Sequence, residues 1–268
     1  MQKKSEFIKI LFIGDIVGKP GRRAVAHFIP EIKKEEGIDF VIANGENLAS
    51  GKGMTFEKYD EMIKAGVDYF TSGNHIWNNA DFISCLNDQR IKVLRPANYP
   101  QSSPGRGVTT FKVKDVDLTL INLQGRVFMR DDIESPFIIG KNIVEDHQNS
   151  IIIIDFHAEA TSEKMALGYY LDRYVSAVFG THTHVQTADE KVLSNGTAFI
   201  SDVGMCGPEN SVLGVKKEII IEKFLTQLPQ SHKIASGDSM FNAVIVEINV
   251  KTKKAEKIKR ISKILKSI

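Results

Sequence analysis

Five short apolar runs, at 7–14, 40–43, 68–71, 151–155 and 175–179, are separated by stretches of helical periodicity. That alternation is the pattern of a chain that winds strands and helices into a sheet covered by helices. The run at 151–155 is almost wholly β-branched, as expected of a strand buried on both faces. Pro20 suits the first turn of a helix reaching residue 36, where Gly37 stops it, and Thr55 is placed to cap a helix ending at Gly66. Further helices are expected over 79–87 and 162–172, and a further strand over 197–202. Residues 107–113 and 117–122, rich in Val, Thr and Leu around a turn at 114–116, read as a hairpin that makes the sheet mixed. Residues 125–136 are polar and aperiodic, a surface loop bordering a site. Residues 213–228 read as partly helical, and 243–250 as a strand that turns through 251–254 into a last amphipathic segment. With no repeat, low-complexity tract or linker, residues 1–268 are expected to form one domain.

Each of the five strands runs straight into polar residues: GDIVG at Gly14, NGEN at Asn44, SGNH at Ser72, DFHAE at Asp155 and GTHTH at Gly180. In open α/β sheets ligands gather beyond the carboxyl ends of strands, so segments distant in sequence can converge there. Carboxylates, carboxamides and imidazoles without a thiolate suit a pair of divalent transition metals in a catalytic rather than a structural role. Each residue alone has a plainer explanation. Asp15 could be a helix cap, Asn74 and His75 a turn, Glu46 a solvated loop residue, and His182 with His184 two surface side chains. Taken together, four of the seven histidines directly follow strands, whereas His27, His147 and His232 lie elsewhere.

Other chemistries fit poorly. In GDIVGKPGRR the leading glycines are too close together, and Pro20 stands where a phosphate-cradling loop needs Ser or Thr. GKGMTF at Gly51 lacks the third glycine of a dinucleotide fingerprint, and no nucleophile elbow is present. Cys85 and Cys206 are too far apart in sequence for a paired motif, so a reducing cytoplasm fits best, and Cys206 is expected to be a small buried residue. The opening MQKKSEFIKIL is broken by charges and reads as unprocessed, and no run is long enough to span a membrane. The formal charge of +2 conceals a division: residues 251–268 carry +7 and the preceding 250 carry −5. A basic end admits a nucleic-acid-binding or regulatory protein, although Lys on an exposed strand also guards a sheet edge.

The ordered set GD, GEN, GNH, a lone His after a strand, and GxHxH resembles the calcineurin-like metallophosphoesterases. Within them the chain is similar to the YmdB-like branch, from FIGDIVGKPGR at Phe12 through NGENLASGKG, SGNHIW, RPANYP, DFHAEATSEK and GTHTHVQTAD to DVGMCGP at Asp202. The wider family carries DxH where Asp15 is followed by Ile16 and Val17, and GDxxD where this chain has GEN. The YmdB-like branch shares both departures. The resemblance implies an α/β mixed β-sheet sandwich flanked by helices. It implies two divalent or trivalent transition-metal ions, Fe or Mn with Zn as the alternative, one held by Asp15, Glu46, Asn47 and His184 and the other by Glu46, Asn74, His157 and His182. Glu46 would bridge them, His75 would be the general acid, and Asn98, Thr181 and Thr183 would shape the substrate pocket. The implied activity is phosphodiester hydrolysis of a small molecule, a 2′,3′-cyclic nucleotide. A phosphomonoesterase or protein phosphatase is the alternative at the same site. No membrane partner is implied, nucleic acid is not expected, and association into a homo-oligomer is left open.

Overall fold

The computed structural model describes residues 6–267, so the opening MQKKS, read above as unprocessed, lies outside the described residues. In chain order the elements are β1 (Phe7–Ile13), β2 (Asp15–Ile16), α1 (Gly18–Glu36), β3 (Phe40–Asn44), α2 (Phe56–Lys64), β4 (Tyr69–Thr71), a 3-10 turn (Asn74–Asn78) and α3 (Ala80–Cys85). There follow β5 (Val108–Val113), β6 (Val116–Gln124), α4 (Pro136–Asp146), β7 (Ile151–His157), α5 (Thr161–Tyr170), β8 (Ala177–Thr181), β9 (Lys191–Val192) and β10 (Ala198–Ile200). The chain closes with β11 (Met205–Pro208), α6 (Lys217–Thr226), β12 (Ser239–Asn249) and β13 (Ala255–Leu265).

Two mixed sheets result. One runs β2-β11-β12-β1-β3-β4 with β13 added along β12, and the other runs β5-β6-β7-β8-β10-β9. Their inner faces share one core, in which Ile10, Phe12 and Val244 of the first sheet pack with Leu120, Ile153 and Phe179 of the second. The expected sandwich is therefore present, and helices cover its outer faces. Ile29, Ile32 and Phe28 of α1 pack on Leu11 and Ile245 on one side, and Leu167 of α5 packs on Ile154 and Val178 on the other.

β1, β3 and β4 are mutually parallel, as are β6, β7, β8 and β10. Buried polar groups tie the carboxyl ends of the two parallel sets together. The Asn44 amide at the end of β3 donates to Asp155 Oδ2 on β7 (2.8 Å), and the Ser72 N–H after β4 donates to Asn122 Oδ1 on β6 (2.9 Å). All four residues are buried, so these bonds set the relative position of the sheets where the polar motifs emerge.

Several elements differ from the sequence reading. α1 begins at Gly18 rather than Pro20, and α4 and β11 fill stretches for which no element was expected. The last amphipathic segment is β13, antiparallel to β12 over almost its whole length. Three of its basic residues and one just beyond it meet carboxylates: Lys259 with Glu36, Arg260 with Glu190, Lys263 with Glu31, and Lys266 with Asp238. Half of the eight cations in residues 251–268 thus meet carboxylates of the acidic body, and the segment is a paired strand rather than a free tail. Among the described residues, no helix is long and apolar enough to cross a membrane.

Candidate active site

Asp15 follows β1, Glu46 and Asn47 follow β3, Asn74 and His75 follow β4, His157 ends β7, and His182 and His184 follow β8. Parallel pairing delivers all of these to one end of the sandwich. The strands meet closely there: a Cβ added to Gly73 would lie 2.2 Å from Cδ2 of the His157 ring, so only glycine lets β4 end against that imidazole. His182 and His184 both have left-handed backbone, with φ of 101° and 66°. Such conformations cost about 1–3 kcal/mol each and persist only where the surroundings impose them. Here Asp202 imposes them, because its Oδ2 accepts from the Thr183 N–H (3.0 Å), the Thr183 hydroxyl (2.7 Å) and the buried Lys164 ammonium (2.7 Å). Asp15 Oδ2 adds a bond from the His182 N–H (3.2 Å).

The three imidazoles share one arrangement, with one ring nitrogen anchored and the other turned inward. His157 Nδ1 bonds the Thr181 hydroxyl (2.9 Å), which donates to Asp155 Oδ1 (2.7 Å). His182 Nε2 meets Glu159 Oε2 at 3.1 Å. His184 Nδ1 meets the Leu213 carbonyl at 3.1 Å. Inward, His157 Nε2 lies 3.0 Å from His182 Nδ1 and 3.6 Å from Glu46 Oε1. His184 Nε2 lies 3.1 Å from Asn47 Oδ1 and 3.9 Å from Asp15 Oδ1. Anchoring of the outer nitrogen is how metal-binding histidines are held in one tautomer.

Charge is concentrated here in a buried setting. Burial raises the Asp15 carboxyl above its usual range. Burial acts the same way on Glu46, but the His157 and His75 imidazoles outweigh it and hold that carboxyl low. Burial disfavours a charged His157, yet Glu46, Asp15 and Asp155 outweigh it and push the imidazole up to about 9. Burial and the neighbouring His157 together push His182 down to about 3. The array therefore draws one positive charge into itself, as a proton on the ring facing both Glu46 and His182. Among the described residues, no three His, Cys, Asp or Glu side chains close tightly enough on one point to enclose an ion as they stand. The donor set nonetheless fits metal ions. Asp15 Oδ1, Glu46 Oε2 and Asn74 Oδ1 are buried oxygens without a hydrogen-bond partner, on residues at the strand ends that carry a cluster already attracting a cation.

His75 lies at the margin, with its side chain 28 % exposed, its Nδ1 3.1 Å from Glu46 Oε1 and its backbone N–H bonded to the same oxygen at 2.9 Å. Asn98 and Thr181, expected to shape the pocket, are instead fully buried. Asn98 is spent on the backbone of Gln124 and Glu134, and Thr181 on Asp155 and His157. Thr183 is bound to Asp202 by both its N–H and its hydroxyl. These three hold the frame of the site through the backbone and ligands they support. Leu213 and Glu159 were not singled out in the sequence. Glu159 stands inside DFHAE, where a pattern of ligand plus acid could have found it, but a backbone carbonyl such as that of Leu213 leaves no sequence signal. His27 and His147 lie outside the cluster, the latter bonded to the Ile143 carbonyl. Cys206 is completely buried, and burial pushes its thiol far up, so it supplies no thiolate.

Comparison with known proteins gives a consistent picture. The family described as YmdB-like protein matches residues 11–261. A Bacillus subtilis relative named 2′,3′-cyclic-nucleotide 2′-phosphodiesterase is 46% identical over 95% of this chain and 96% of its own. The crystal structure of a novel phosphatase from Mycoplasma pneumoniae superposes with a TM-score of 0.92 at 34% identity, over 97% of this chain and 94% of that one. A 5′-nucleotidase from Staphylococcus aureus, 16% identical, shares the fold with a TM-score of 0.61 over 97% of this chain and 54% of its own.

Proposed function

Because the chain belongs to the YmdB-like protein family, a branch of the metallophosphoesterase fold, we propose that it is a metal-dependent phosphodiesterase that opens 2′,3′-cyclic nucleotides by attack of water. The observation that carries this reading is the set of three inward-facing imidazoles beside three buried, unpartnered oxygens. The substrate class follows the name of the Bacillus subtilis relative.

Asp15, Glu46, Asn47 and His184 would hold one ion, and Glu46, Asn74, His157 and His182 the second. Fe and Mn are the favoured identities, with Zn accepted by the same donors. Such ions, when bound, neutralise phosphate oxygens and bring the acidity of water toward neutrality. The chain's own residues do the rest. Thr181, Glu159 and Leu213 engage the outer nitrogen of each ring, which aims the inner nitrogen into the cluster. Glu46 Oε1 accepts from the His75 backbone N–H and lies against its ring Nδ1, so Nδ1–H is engaged and the doubly protonated ring has its Nε2 proton to give. As the ring of the cyclic phosphate opens, one ribose oxygen leaves as an alkoxide, and His75 delivers that proton to it.

The test is a side-by-side assay of 2′,3′-cyclic AMP, 3′,5′-cyclic AMP, a cyclic dinucleotide and a phosphopeptide on metal-replete protein. Turnover is expected to be fastest on 2′,3′-cyclic AMP. The Mycoplasma pneumoniae structure described as a phosphatase favours a second reading, and faster turnover of the phosphopeptide would select it.

A further inference from the structure

Two cavities lie on either side of Ile234. One, of about 630 Å³, is lined by Lys19, Arg23, His232 and Lys233, and the other, of about 550 Å³, by Lys52, Gln230 and His232. Among the described residues, neither is lined by a carboxylate, although the body of the protein is acidic. α1 begins at the first cavity with no side-chain cap and no acidic residue in its first turn. The dipole of α1 therefore adds to the charge of Lys19 instead of offsetting it. Partial enclosure together with the Lys223 and Lys52 ammonium groups pulls the His232 imidazole below its ordinary range, as a positive field does.

Hydrogen bonds join the walls of these cavities to the candidate active site. The Asn47 carbonyl accepts from the N–H of Gly18 (3.0 Å) and of Gly51 (3.2 Å), and its amide donates to the Gly51 carbonyl (2.9 Å). Ser50 lines both cavities. Val215, in the wall of the second, exchanges backbone bonds with Val212 across the turn whose Leu213 carbonyl holds His184. A mononucleoside cyclic phosphate carries a single anion, which ions held by the metal ligands would neutralise, and leaves this basic wall nothing to hold. Each further nucleotide adds one phosphodiester charge.

We propose that the paired cavities are an extension of the active site that binds the backbone phosphates of a short oligoribonucleotide whose 3′ end is the 2′,3′-cyclic phosphate being hydrolysed. This rests on the phosphodiesterase reading above and narrows its substrate class. The experiment compares wild type with the Lys19→Gln, Lys52→Gln double variant, both being exposed side chains outside the metal-ligand set. kcat/KM is measured on 2′,3′-cyclic AMP and on an adenosine trinucleotide ending in 2′,3′-cyclic phosphate, at two salt concentrations. Wild type is expected to prefer the trinucleotide by about tenfold or more, with a steeper salt dependence. The double variant is expected to keep its rate on 2′,3′-cyclic AMP within about twofold and to lose the preference. Equal use of both substrates by wild type, or equal loss on both in the variant, overturns the proposal. So does inhibition by inorganic phosphate that is equal for the two substrates and relieved in the variant, which would make the cavities a free-phosphate site. Fluorescence anisotropy of a labelled trinucleotide with a plain 3′-hydroxyl reads the cavities without turnover. If no cyclic substrate is hydrolysed while the variant binds this probe about fivefold or more weakly, the phosphodiesterase reading fails and the phosphate-binding cavities stand. Normal hydrolysis of 2′,3′-cyclic AMP with unchanged probe binding does the reverse.

Discussion

Glu46 joins two parts of the candidate site: His157 at 3.6 Å, the His75 ring at 3.1 Å and the His75 backbone N–H at 2.9 Å all face one of its oxygens, while the other is buried without a partner. A residue so placed acts before the chemistry, by assembling the centre. Glu46→Gln is therefore expected to lower bound metal as well as rate, and full metal occupancy of the variant by elemental analysis would remove its bridging role. His75 acts later. His75→Ala is expected to reduce kcat by about 10²–10⁴-fold with metal content unchanged, and near-wild-type turnover would remove it as the general acid. The inward-facing residues were legible from the sequence because imidazole, carboxylate and carboxamide at strand ends are uncommon without a use. Their supports were not. Asp155 is apparent only as the first residue of a motif, and the Leu213 carbonyl is chemistry that every residue type carries.

The strands were the most legible elements, since β-branched runs bounded by polar motifs admit few other conformations. α4 was missed because its own sequence argues weakly for a helix: Gly140 lies in its middle among Ile and Val, which favour strands. Packing decides the matter, because a Cβ at Gly140 would come within 2.9 Å of Leu123 on β6, so the glycine lets the helix sit down on the sheet. A similar long-range decision joins α5 to the turn after β8. Lys164 on α5 is 2 % exposed and pairs with the equally buried Asp202 at 2.7 Å, and the same carboxylate holds Thr183 between His182 and His184. Removing one partner strands a buried charge. Lys164→Met is expected to cost about 3–5 kcal/mol, read from urea unfolding, with metal binding weakened as the turn relaxes. A loss under about 1 kcal/mol would show that the pair is dispensable.

For the whole molecule, the partition of charge into an acidic body and a basic end becomes an internal match once β13 lies along β12. Asp238 shows the consequence for stability. Its carboxylate accepts from the Lys266 ammonium (2.9 Å) and from the N–H and hydroxyl of Ser267, which hold its carboxyl at about 2 against an ordinary value of 3.8. A carboxyl depressed by folding stabilises fully above its unfolded value and stops doing so as the pH falls through its folded one. The stability difference between wild type and Asp238→Asn should thus be constant well above pH 3.8, fall as the pH drops toward 2 and vanish below it, as followed by denaturant unfolding across that range. A difference that persists undiminished below pH 2 would assign the effect to packing. By itself the sequence determined the strand and helix alternation, the identity of the inward-facing side chains and the place of each at a strand's carboxyl end, because these depend on local periodicity and residue chemistry. Only the tertiary structure decided that two separate parallel sets of strands would end at the same place, which nitrogen of each histidine turns inward, and that half of the basic end's cations would meet carboxylates along a sheet edge. Those outcomes depend on contacts between residues far apart in the chain, such as Asn44 with Asp155, His184 with Leu213 and Lys259 with Glu36, whose pairing no local pattern records.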